Sequence, residues 1–283
     1  MPVEYLPMRL SPDDAKALVV AHRCLEGRSF GQSVTGFLGR QVAAFSRALP
    51  GPARTAISKG SEAALRAALR AALWTVDTSR PPKSRELRHS LAAAASGALG
   101  GAFGLPALLL ELPTSTTIIL RSIAEIARTE GEDLEELEAR LACIEVFALG
   151  PDSSGEAPVE GGYFAMRAGL AQSISESAKF LAKNGLASSA APALLRLISQ
   201  IAGRFGIVVT EKMAAQAVPI FGAIGGAAIN LAFSHHYQKV ARGHFIMRRL
   251  ERTYGTELVQ AEFRKLRGEK RPAVEARPSP AGV

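Results

Sequence analysis

Apolar positions recur at helical spacing along most of the chain, and the first stretch to do so opens on an explicit start signal. In Ser11-Pro12-Asp13-Asp14 a capping serine precedes a proline at the first helical position, and two acids face the positive end of the helix dipole. The pattern predicts a helix from there to about Glu26, before Gly27. Gly31 to Gly39 leads into a second helix ending near Leu49, and Pro50-Gly51-Pro52 breaks the chain. From Ser61 to Val76 the alanines at 63, 64, 67, 68, 71 and 72 form a small-residue face opposite Glu62, Arg66 and Arg70, before Pro81-Pro82.

Two stretches are free of charge. Leu91 to Leu110 is about twenty residues, the length needed to cross a bilayer core, yet Gly97, Gly100, Gly101, Gly104 and Pro106 weaken a simple spanning helix. The second, Met213 to Phe233, is similar in length and is interrupted by Pro219, Gly222, Gly225 and Gly226. The same glycines permit close contact between helices in lipid or in protein, and Gly222-x-x-x-Gly226 has the spacing that lets two backbones touch. The expectation is that the two runs pack against each other as central helices.

Between them, Thr114 or Ser115 caps a helix whose apolar face is Ile118, Ile119, Ile123, Ile126 and Ala127, closed by Glu130-Gly131. Asp133 caps the next, with Glu136 in a box-like pattern. Pro151 to Pro158 is a loop, and helices follow over Gly162–Lys183, about Ala191–Phe205 and Val208–Ala217. A basic helix runs from Ser234 to about Tyr254, Gly255 ends it, and an amphipathic piece reaches Leu266. The result is an all-α reading: a single multi-helix bundle over 11–266 with a short extension at 1–10. Residues 267–283, polar and rich in proline, read as a disordered tail.

Composition agrees, because 47% of residues are apolar but only 6% aromatic, so Ala, Leu, Ile and Gly fill the core of closely approaching helices. The net charge of +8 favours anionic partners, but it is segregated. Glu125 to Glu160 holds eleven acids against Arg128 and Arg140, whereas the stretch from Lys239 onward is basic. Cys24 and Cys143 are too few for a disulfide framework and read as buried thiols. The opening residues lack the basic start and apolar core of a signal peptide, so the cytoplasm is the expected compartment.

Two blocks carry a family resemblance. GLPALLLELPTSTTIILRSIAEIARTEGEDLEELEARLACIEVFALG (Gly104 to Gly150) combines a glycine-rich helix, an acid-x-Pro turn, a Thr-rich helix and a G-E-D corner. EKMAAQAVPIFGAIGGAAINLAFSHHYQKVARGHFIMRRLERTYG (Glu211 to Gly255) contains a VP-x-x-GA-x-x-GA-x-x-N core. With YFAMRAGLAQ at Tyr163 to Gln172, these resemble the EcsC-like family of bacterial proteins over about residues 60 to 260. The resemblance implies an all-helical cytoplasmic domain, named for a gene linked to an ABC-transporter operon involved in secretion and processing, and it implies no cofactor or catalytic mechanism. Glu111 stands where many members carry Asp.

Candidate chemistry is sparse. His235, His236 and His244 invite a metal, but adjacent histidines point about 100° apart and His236 to His244 spans about 12 Å, so no metal is expected. The glycine clusters follow no strand and carry no Gly-Lys-Ser/Thr, which excludes a phosphate loop. No cofactor is expected. Weak catalytic candidates are Glu111, His235 and His236, for a hydrolase-like pocket between the glycine-rich helices. Asn230, within an apolar run, needs partners and reads as a tie between two helices. Lys239, Arg242, Arg248, Arg249 and Arg252 form a cationic rod. Without a nucleic-acid-binding fold or stacking aromatics, it points to anionic lipid, not nucleic acid. The favoured reading is a non-catalytic helical module at the cytoplasmic membrane face or beside an envelope transport system. The hydrolase and a soluble interaction scaffold are the alternatives.

Overall fold

A computed structural model describes residues 9–33, 48–74, 111–150, 162–185, 192–216 and 222–268. Among the described residues every regular element is helical: α1 (Pro12–Leu25), α2 (Gly51–Trp74), α3 (111–129), α4 (Leu137–Glu145), α5 (Gly162–Asn184), α6 (Pro192–Gln216), α7 (Gly222–Tyr254) and α8 (Thr256–Gly268). A 3-10 turn, Val146–Ala148, continues α4. The all-α expectation holds. Leu91 to Leu110, with Gly97, Gly100, Gly101 and Gly104, lies outside the described residues, as do Pro219 and the 269–283 part of the expected tail.

Local signals place several helix ends. The Ser11 hydroxyl accepts from the Asp14 amide at 3.1 Å, and Pro12 opens the helix. Gly255, at φ +86°, takes the left-handed conformation between α7 and α8 that an L side chain rarely adopts.

Other expected boundaries move. Gly51-Pro52 begins α2 instead of merely breaking the chain, ten residues before the expected start. Thr114 and Ser115 do not cap α3, which already includes 111–113. The Ser115 and Thr116 hydroxyls turn back onto the Leu112 carbonyl, and Thr117 onto that of Pro113. Asp133 does not cap α4; its side chain accepts from the Glu135 amide at 2.8 Å in a tight turn, and the capping position is Glu136. The expected break after Phe205 is absent, because Phe205 and Val209 carry one buried face through Gly206 and hold α6 continuous. The glycine-rich run and the basic helix are likewise one element, α7, of 33 residues.

That rod organises the molecule. One side takes α1 and α8; another takes α6 and the 3-10 turn; α6 in turn packs on α2 and α5, with α4 lodged between those two. Phe147, Phe205, Phe233 and Tyr237 interlock where the 3-10 turn, α6 and α7 meet, with ring centroids 4.9–5.9 Å apart for the pairs that involve Phe147 or Tyr237. Each such pair adds about 0.5–1.5 kcal/mol beyond its apolar burial. The close backbone approach expected of the glycine-rich runs is visible at a different glycine. A Cβ on Gly243 would lie 2.8 Å from both Cys24 Cβ and Leu25 Cγ, so α1 can seat on α7 only because that position has no side chain.

Candidate functional site

The cationic rod turns inward at three of its five positions. Arg248 donates through Nε and Nη2 to the two carboxylate oxygens of Glu132 at 2.8 and 2.9 Å. Arg252 reaches the same carboxylate and also donates to the Glu130 carbonyl at 2.9 Å. Arg249 bridges Glu130 (2.9 Å) and Asp14 (2.8 Å), and the Tyr254 hydroxyl donates to Asp14 at 2.7 Å. Hydrogen bonding from Arg249, then Tyr254, pulls the Asp14 carboxyl down to about 2. For Glu132 burial alone would raise the carboxyl, but Arg248 and Arg252 bring it below its ordinary value. The three arginines are thus a latch holding the Glu130–Glu132 corner and α1 against α7. Their charge is largely met within the protein. Of the other two, Lys239 lies half-buried over Gly27 and Arg242 is exposed.

A second polar seam runs deeper. Asn230 donates to Glu111 at 2.6 Å, and Gln238 to the Ser122 hydroxyl at 2.9 Å. With Arg248–Glu132 these contacts occur in the same order along both segments, so α3 runs parallel to α7. Lys212 of α6 stands 3.5 Å from Glu111 and 4.7 Å above the Phe233 ring, with burial lowering its pKa and Glu111 opposing. Glu111 therefore meets a lysine of α6.

Among the described residues no hydrogen bond or ion pair joins Glu111 to His235 or His236. His235 is exposed. His236 sits against the Phe30 and Tyr237 rings, where burial and then Lys239 hold it neutral. His244 is fully buried, because α4 and α5 cover that side of α7.

It is His244 that leads to the open site. A cleft of about 370 Å³ lies among α4, α5, α7 and α8, with Glu145 and Arg248 on its wall beside Arg167 and Glu251. Arg167 grips Glu251 with two hydrogen bonds, at 3.0 and 2.9 Å, and its Nη1 also donates to the Tyr163 hydroxyl at 3.4 Å. Since Tyr163 accepts from Arg167, its own proton is directed to His244 Nδ1, 3.0 Å away. That assignment leaves the His244 proton on Nε2, facing Glu145 Oε2 at 3.7 Å, beyond hydrogen-bond reach. Burial raises the Glu145 carboxyl to about 7, against the pull of Arg167 and Arg248, and drives His244 well below its usual value. The array can bind a donor group and exchange a proton near neutrality.

Glu145, Tyr163 and Arg167 were not singled out by sequence. The signals were a lone acid within the apolar run ACIEVFAL, an arginine one turn after a tyrosine, and the place of all three inside the blocks that carry the family resemblance.

The profile of the EcsC protein family matches residues 53–250, which is most of the chain. The chain belongs to the EcsC protein family. No curated protein and no solved structure matches it. The EcsC match includes nearly all of α2, then α3 to α6, nearly all of α7, and the acids Glu130, Glu132 and Glu145. It leaves out α1, α8, Asp14, Arg252 and the cleft residue Glu251, so the latch joins α1 to the EcsC region through Asp14.

Proposed function

We propose that this EcsC-family chain is a non-catalytic helical module that works at the cytoplasmic face of a membrane, with an envelope transport system as its setting. The observation that carries this reading is the outer side of α6. Among the described residues it is the one helix long and apolar enough to cross a bilayer, with mean hydropathy 1.4 in its most apolar window, yet only 39% of that window is buried. Leu195 and Ile207 are exposed on it, within an arc of about 120° that also holds Arg196, Ser199 and Gly203. Ser173 meets Gln200 and Glu176 meets Arg196, so α5 runs antiparallel beside α6 and brings exposed Lys179 and Lys183 near Leu195. Aliphatic side chains flanked by lysines suit shallow contact with anionic head groups, at about 1 kcal/mol per basic residue near the surface.

This surface differs from the cationic rod, whose Arg248, Arg249 and Arg252 are engaged in the latch. Replacing those arginines would test the fold instead of the membrane. The informative variant is Leu195→Asp with Ile207→Asp, both at exposed positions. Flotation with phosphatidylglycerol vesicles should recover the wild-type protein in the lipid fraction, and the double variant should stay behind. Absence of wild-type binding at low salt, or equal binding by the variant, refutes the reading.

A further inference from the structure

The cleft among α4, α5, α7 and α8, remote in its chemistry from the α6 surface, contains one charged group that the fold leaves incomplete. Glu251 fills the fork of Arg167, and Glu132 takes both hydrogen bonds of Arg248 while also meeting Arg252, so neither guanidinium reaches the cleft unpaired. Glu145 belongs to neither pair. Its side chain is 5% exposed and lines the cleft, and among the described residues no protein group donates a hydrogen bond to it. An ionised carboxylate only accepts, so what would complete it is a donor, and at this depth a cationic one.

The rest of the lining narrows the class. Glu138, on the same face of α4 and two turns earlier, is exposed and also lines the cleft, about 10 Å from Glu145 along the helix. Between the two acids on α4 stands Ala142, and apart from Arg167 and Ser175 the α5 lining is apolar or small: Phe164, Ala168, Ala171 and Ile174. Two carboxylates two turns apart, separated by a strip suited to methylene groups, match an elongated alkyl cation. An anion would have to displace Glu251 or Glu132 from its arginine.

We infer that this cleft is a binding site for a small aliphatic polyamine, with one ammonium group donating to Glu145 and the chain running along α4 toward Glu138. The Glu145 carboxyl, raised to about 7, supports the assignment, because capture of an ammonium would then expel a proton at neutral pH.

Calorimetric titration of the full chain with spermidine, n-butylamine and adipate, at pH 7 in buffers of different ionisation enthalpy, tests this. Spermidine should bind with release of up to about half a proton per site. Glu145→Gln should weaken binding about tenfold or more and abolish the buffer dependence. Glu138→Gln should weaken spermidine but leave butylamine unchanged. Ala171→Trp, at an exposed wall position, should block binding without altering either acid, which separates loss of the site from loss of the fold. No heat with spermidine, equal affinity in Glu145→Gln, or tighter binding of adipate than of spermidine would overturn the inference.

Discussion

Replacing Glu145 by glutamine should stabilise this protein, and by an amount that depends on pH in one direction only. The carboxyl titrates near 4.5 in an exposed chain and near 7 in the fold, because burial disfavours its charge more than Arg167 and Arg248 favour it. Below pH 4.5 it is protonated in both states and contributes no difference. As pH rises from 4.5 to about 7 the unfolded chain ionises while the folded one holds its proton, so stability is lost across that window and stays lost above it. The interval from 4.5 to about 7, at about 1.4 kcal/mol per pH unit, amounts to about 3 kcal/mol. Glutamine keeps the shape and has no charge to desolvate. Thermal melts of wild type and Glu145→Gln, followed by circular dichroism from pH 4 to pH 8.5, should coincide at the acid end and diverge towards pH 7. The variant should then melt higher, at about 2–4 °C per kcal/mol for a chain of this size. Parallel profiles, or a variant less stable than wild type at pH 8, would refute the assignment to this position of a carboxyl whose ionisation burial disfavours.

Two further variants address the latch and the α1 contact. Glu132→Gln should lower stability at pH 7 by about 2–3 kcal/mol, less than a fully buried pair would lose because Arg248 and Arg252 are partly exposed. Since the folded carboxyl titrates below its ordinary value, that difference should be complete above pH 4.5 and shrink as pH falls through the folded pKa, which denaturant melts at several pH values would check. Gly243→Ala should cost about 1–3 kcal/mol by pushing α1 off α7, read as earlier proteolysis before Leu25 and a lower midpoint.

Helices and several of their ends were legible in the sequence because they depend on residues within one turn of each other. Ser11-Pro12 opens α1 and Gly255 ends α7 for local reasons of capping and backbone conformation. The same locality explains the errors. Phe205-Gly206 and Asp133 look like an end and a cap, but the buried face of α6 overrides the glycine, and Asp133 finds the nearer amide of Glu135. Charge was visible as composition, with an acidic block before residue 160 and a basic one after 239. Which arginine meets which acid was not, because Arg248, Arg249 and Arg252 find partners 116 to 235 residues away. Only the packing of α4, α5 and α7 turned an unremarked glutamate into a buried acid that titrates near neutrality. Burial is set by every element that surrounds a group, and no window of sequence contains them all.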